Sequence, residues 1–243
     1  AIGKNVHRIA NFPCLGKRGV GPYTKEASML ISDLFANPLR VAITLTAFLL
    51  ALSVHEASHA LAALLLGDKT ALREKRLTLN PLSHIDITGF LMLVFVGFGW
   101  GKPVPFNPYN LKWPRIGPTL VAAAGPFSNF LLSVLALGGL SLVLPRLGME
   151  NGLSIFLMVL ALMSMVLGLF NLLPIPPLDG SKALLAALAA PKYANARHFL
   201  ETRGPFLLLG LVLFNVFLQI DVFAWIGMLA QGIVLRLAEL FHL

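Results

Sequence analysis

His55-Glu56-Ala57-Ser58-His59 has chemistry built into its spacing. On a helix, residues i and i+4 lie one turn apart on the same face. Both imidazoles can then reach one Zn²⁺, and the carboxylate between them can serve a water beside it. The pentad also occurs in soluble zinc-binding proteins, so its setting is the more informative part. It lies inside the apolar run Val41 to Leu66, which is long enough to cross a bilayer. Ionisable side chains are costly in hydrocarbon, and a cluster of them at membrane depth marks a functional site. Catalytic zinc takes three protein ligands and keeps a fourth position for water, so a third donor must come from elsewhere in the chain. Asp179 is the leading candidate: it follows the Pro-rich break Pro174-Ile-Pro-Pro and precedes Gly180, which permits close backbone approach. Asp221 is its rival, and His84 a weaker one.

The elements that must position these groups can be read from composition. Of 243 residues, 57% are hydrophobic and 12% charged, against about 25% charged in soluble domains. The net charge of +8 does not indicate a nucleic-acid partner. The basic residues flank apolar runs, where they orient helices and meet anionic head groups. A single cysteine, Cys14, excludes an intramolecular disulfide. Residues 1–37 form a basic tail with room for a surface helix over Ala27–Phe35, and they lack the apolar core of a signal peptide.

Residues 38–243 form the membrane domain. Full spans are expected over Leu39–Leu66, Thr119–Leu144 and Leu153–Leu173. Ile87–Trp100 falls short of the roughly 20 residues a span requires and is rich in glycine, so it should be re-entrant or partly inserted, with its backbone covered by protein. Gly97, Gly99 and Gly101 serve turns and packing there; no Lys-Ser/Thr follows that would make them a phosphate loop. Lys102–Pro118 contains five prolines and cannot be a continuous helix. Ser181–Ala190 reads as a short helix, Lys192–Arg203 as a polar link, and Pro205–Leu237 as one tilted helix or two pieces divided at Gln219 and Asp221. The expected fold is therefore an all-α membrane protein, a polytopic transmembrane helix bundle with a re-entrant Gly/Pro-rich element.

Taken as a set, the pentad, Ala124-Gly125-Pro126-Phe127-Ser128-Asn129 and Asn171-Leu-Leu-Pro-Ile-Pro-Pro-Leu-Asp-Gly180 resemble the site-2 protease family of intramembrane zinc metalloproteases. Arg76–Asp86 and Lys102–Pro108 are similar to its compact prokaryotic branch. The resemblance covers roughly residues 38–215. It implies one zinc ion per chain held by His55, His59 and Asp179, Glu56 as general base, and a conserved asparagine, with a substrate-binding role, at Asn129. It implies an intramembrane endopeptidase that cuts transmembrane segments of membrane-protein substrates within the lipid bilayer. No inserted peptide-binding or cystathionine-synthase-like domain is visible, and nothing in the sequence names an oligomeric partner.

Other readings stand beside these. Asp179 would also serve as the N-cap of the helix from Ser181. Asn129 would equally make an interhelical hydrogen bond beside the small-residue face Ala122-Ala-Ala-Gly125. His84 and Asp86 fit a loop-bracing or solvated role better than a catalytic one. At the level of the whole chain, the alternative is a metal-binding, non-catalytic membrane scaffold or subunit, for which Glu56 would have no use.

If Ile87–Trp100 is re-entrant, loops 68–86 and 101–118 share one side. Their Lys69, Arg73, Lys75, Arg76, Lys102, Lys112 and Arg115 make that side cytoplasmic. Counting spans brings Asp179 to the same side, which places the site of this multi-pass protein nearer the cytoplasmic face. The basic tail would then lie on the opposite side, against the charge rule.

Overall fold

The structure, a computed structural model, describes residues 37–96, 99–218 and 222–243. The tail before Asn37, with its expected surface helix, and Asp221 lie outside the described residues. Helix α1 spans Pro38–Leu65 and starts with proline in its first turn, where the missing N–H costs nothing. It ends at Gly67, whose φ of +106° is open to a residue without a Cβ. The rest of the chain forms α2 (Thr70–Arg73), α3 (Ile87–Val96), α4 (Gly117–Leu147), α5 (Gly152–Asn171), α6 (Gly180–Ala187), α7 (Ala194–Leu218) and α8 (Ala224–Leu240). Among the described residues there is no β-strand, only one isolated bridge.

Helices α1, α4 and α5 are long and apolar enough to cross a membrane, close to the three expected spans. They pack on one another through Ala47, Ala51, Ala136, Leu137, Leu140 and Ala161. Small side chains let the backbones come close, which gives the dispersion contact that associates helices in lipid. At this seam the Ser133 hydroxyl donates to the Ala161 carbonyl at 2.8 Å. Outward-facing Phe127, Leu131, Leu135 and Leu142 are exposed, as a lipid-facing surface requires. Helix α8 adds Ala230, Val234 and Ala238 to the same core.

The short apolar segment behaves as a hairpin. Asp86 Oδ1 accepts the Gly89 N–H at 2.8 Å and caps the start of α3. Ile85 and Gly101 then pair as an antiparallel bridge, so the chain leaves and returns at one place. A Cβ on Gly89 would collide with the Trp100 carbonyl, which places the returning limb against α3. His84 is fully buried, and its Nε2 lies 2.8 Å from the Thr78 carbonyl. It braces this loop from within and is not solvated.

Two expectations are corrected. Lys192–Arg203 is no link: a 3₁₀ turn at Pro191–Tyr193 runs directly into α7, whose first turns carry an Arg197–Glu201 pair at 3.0 Å. Charged residues at helical spacing support a helix rather than end it. The short helix stops at Ala187 instead of Ala190, because Pro191 biases the residue before it away from helical geometry.

The end of α1 is tied to the Pro-rich loop by Asp68, which is wholly buried. Its Oδ1 accepts from the Thr70 hydroxyl (2.7 Å), the Thr70 N–H (3.1 Å) and Asn110 Nδ2 (3.0 Å), and its Oδ2 accepts from the Asn107 N–H (2.7 Å). Burial works to raise this carboxyl. The hydrogen bonds from Asn110, Thr70 and Asn107 outweigh it and hold the group below its ordinary value. Asp68→Ala should therefore destabilise the fold by about 1.5–3 kcal/mol at pH 7, the worth of hydrogen bonds to a charged group. Because the folded carboxyl titrates below the unfolded one, the contribution is complete above the unfolded pKa of about 3.9 and fades as pH falls through the lower folded value. Denaturant titrations of wild type and Asp68→Ala should accordingly converge in strong acid.

Candidate metal centre

The pentad lies in the C-terminal half of α1, and His55, Glu56 and His59 are all buried. The two rings stand 4.6 Å apart and perpendicular. Asp179 reaches them from the turn between α5 and α6. Its Oδ2 is 3.0 Å from His55 Nε2 and 3.3 Å from His59 Nε2. The three ligating atoms lie within 4.8 Å of one another, and this is the one such group among the described residues. Asp179 sits at the N-cap position of α6 but makes no capping hydrogen bond, so the alternative reading of it as a cap does not hold. His84 is held elsewhere by Thr78 and takes no part.

Hydrogen bonds behind the rings decide which nitrogen is free. His59 Nδ1 lies 2.8 Å from the Val121 carbonyl. A carbonyl only accepts, so Nδ1 carries the proton and Nε2 keeps its lone pair. His55 Nδ1 lies 3.2 Å from Asn129 Nδ2, while Asn129 Oδ1 is buried without a partner. Amide oxygen and nitrogen are assigned by their surroundings. Turned over, Asn129 accepts from His55 Nδ1–H, its orphaned oxygen is satisfied, and His55 Nε2 also becomes a bare acceptor. Two lone pairs and a carboxylate then face one another with no donor among them. Such a trio is suited to hold a cation.

The spacings of 3.0 and 3.3 Å match the edge of about 3.3 Å that bonds of 2.0–2.1 Å give in a tetrahedron. Two imidazoles and a carboxylate are a donor set of catalytic zinc. The residues therefore fit one zinc ion, with Asn129 and Val121 orienting its ligands from behind.

The sequence did not reveal the fit around this seat. Gly125 on α4 lies directly behind the rings: a Cβ there would be 2.5 Å from His59 Cε1 and 2.6 Å from His55 Cε1. Its position four residues before Asn129 was the available signal, since i and i+4 share a face. Gly180 is equally confined, because a Cβ would meet the Leu172 carbonyl. Asn129, wholly buried, meets His55 across the helix seam.

Metal analysis of purified variants tests the centre. His59→Ala and Asp179→Ala should lose most of the zinc, and Gly125→Ala should lose it by displacing the rings. Asn129→Ala should weaken zinc affinity by about 10–100-fold, the usual effect of removing a ligand's supporting hydrogen bond. Full zinc retention by both His59→Ala and Asp179→Ala would refute the assignment.

Comparison with known proteins finds zinc metalloprotease relatives. The sequence model of Peptidase family M50 matches residues 143–211, the stretch that holds α5 and Asp179. The chain is 41% identical over 138 residues to "Putative zinc metalloprotease YwhC" of Bacillus subtilis, covering 54% of this chain and 63% of that protein. It is 31% identical over 149 residues to "Putative zinc metalloprotease Rip2" of Mycolicibacterium smegmatis, covering 58% of this chain and 56% of that protein. The chain thus spans less than two thirds of the length of the curated relatives it matches. No solved structure matches. These matches show that the chain resembles peptidase family M50, the site-2 protease family, and its three long apolar helices and the His55–His59–Asp179 seat are in keeping with that resemblance.

Proposed function

We propose that this protein is a zinc endopeptidase that cuts transmembrane segments of membrane-protein substrates within the bilayer. The observation that carries this reading is Glu56 beside a complete His55–His59–Asp179 seat. A purely structural metal needs no buried carboxylate next to it, and the relatives' names as zinc metalloproteases support the same reading.

Zinc in this seat would lower the pKa of a water toward about 7 and polarise a peptide carbonyl. Glu56 takes the proton from the attacking water and passes it to the leaving amine. His55 and His59 keep their Nε2 lone pairs committed through Asn129 and Val121. Hydrophobic neighbours exclude bulk water and strengthen each of these electrostatic contacts. The basic loops, with Lys69, Arg73, Lys75, Lys102, Lys112 and Arg115, favour a site nearer the cytoplasmic face. Asn129 has its side chain buried behind His55, so any effect it has on substrate would be transmitted through that ring.

Glu56→Gln keeps size and polarity but cannot accept a proton. Zinc content should stay normal, and cleavage of a reconstituted transmembrane peptide should fall at least about a hundredfold. Near-native turnover by this variant would remove Glu56 from the chemistry.

A helix hides its carbonyls in hydrogen bonds, so a substrate must unwind before the bond is exposed. Gly or Pro near the scissile bond lowers that cost by about 1–3 kcal/mol on scales measured in water. In liposomes, peptides with such residues should be cut faster than uninterrupted Leu helices. Equal rates, or a preference for soluble unfolded chains, would defeat the intramembrane reading.

A further inference from the structure

The segment Lys102-Pro103-Val104-Pro105 lies over the pentad and is held by three backbone hydrogen bonds. The Lys102 N–H donates to the His84 carbonyl at 2.8 Å. The Lys102 carbonyl accepts from Arg76 Nη2 at 2.6 Å. The Val104 N–H donates to Glu56 Oε2 at 3.0 Å. The Val104 side chain is buried with Ala60 of α1 and Ala71 of α2, which fixes the direction of its N–H. Pro103 and Pro105 have no N–H, so Val104 carries the one amide hydrogen between Lys102 and Phe106.

Arg76 makes the arrangement unusual. It is 6% exposed, and among the described residues no carboxylate pairs with it. A buried guanidinium with no counter-charge is expensive, yet this one is directed at a single backbone carbonyl, two residues from the amide that holds Glu56.

We propose that Arg76 and residues 102–105 form a strap that positions the general base. The Val104 amide fixes Oε2 of Glu56 and leaves Oε1 to take the proton, and Arg76 and His84 hold the strap in register. Arg76 and Val104 are positioning residues that act through Glu56. This deepens the proposed protease reading and rests on it.

The experiment uses the full chain, zinc-loaded and reconstituted with a transmembrane peptide. Arg76→Ala, and independently Val104→Pro, which deletes the amide hydrogen, should lower kcat by about tenfold, the size of one hydrogen bond to a charged group. KM and zinc content should be unchanged. Val104→Ala keeps the N–H and should lose less of the rate than Val104→Pro, and Arg76→Lys should recover part of what Arg76→Ala loses. In a Glu56→Gln background neither Arg76→Ala nor Val104→Pro should cost anything further.

Wild-type kcat in both variants, loss confined to KM or zinc, or an equal further loss in the Glu56→Gln background would overturn the proposal. A second readout needs no turnover. The Val104 amide should exchange with deuterium at least about tenfold faster in Glu56→Ala than in wild type, and equal exchange would overturn the contact itself. If wild type cuts no peptide while the exchange difference is present, the protease reading fails and the strap stands.

Discussion

The rest of the structure depends on one unfavourable encounter: two imidazole lone pairs and a carboxylate brought face to face inside an apolar bundle. Water cannot screen them, and no donor lies between them. A cation bound among them would relieve that encounter, and the surrounding helices hold the groups together. The Val121 carbonyl and the Asn129 amide fix the ring protons on the far side of each imidazole. Gly125 leaves a gap the width of a missing methyl group for the rings to occupy. The frame is thus built outward from an electrostatic demand, with small residues and backbone carbonyls meeting it.

The three long helices divide this work. Helix α1 brings His55, Glu56 and His59 to the seat. Helix α4 brings nothing that binds metal; it supplies the hydrogen bonds and the free space behind the ligands. Helix α5 delivers the chain to the turn where Asp179 can look back into the bundle. The loops finish the assembly, with Asp68 tying the end of α1 to the Pro-rich segment and Arg76 tying that segment near Glu56.

Much of this was legible in the chain. His55, Glu56 and His59 announce themselves by spacing, and Asp179 by the break before it. The three spans follow from unbroken apolar length, and the hairpin from being too short and too rich in glycine. What stayed hidden was relational. Val121 contributes a carbonyl, and a main-chain acceptor has no side-chain signature. Gly125 looked like generic helix packing until the rings appeared beside it. Lys192–Arg203 read as a link because its charges were weighed without their helical spacing. His84 is a buried brace because of Thr78, a contact made within a loop whose path no periodicity predicts.

The Ile85–Gly101 bridge has a consequence for how such a protein can change over time. A hairpin that exits where it entered contributes no crossing, so it leaves the parity of the chain untouched. Two helices long and apolar enough to cross a membrane, α4 and α5, lie between the pentad and Asp179, an even number. A single additional span anywhere between Gly67 and Leu178 would carry the aspartate to the opposite leaflet and abolish the centre, however well each helix packed. Insertions in that interval are therefore restricted to paired crossings, hairpins or extramembrane loops. Segments before α1 or after α6 face no such arithmetic. The architecture is rigid in the middle of the chain and free to diversify at its ends.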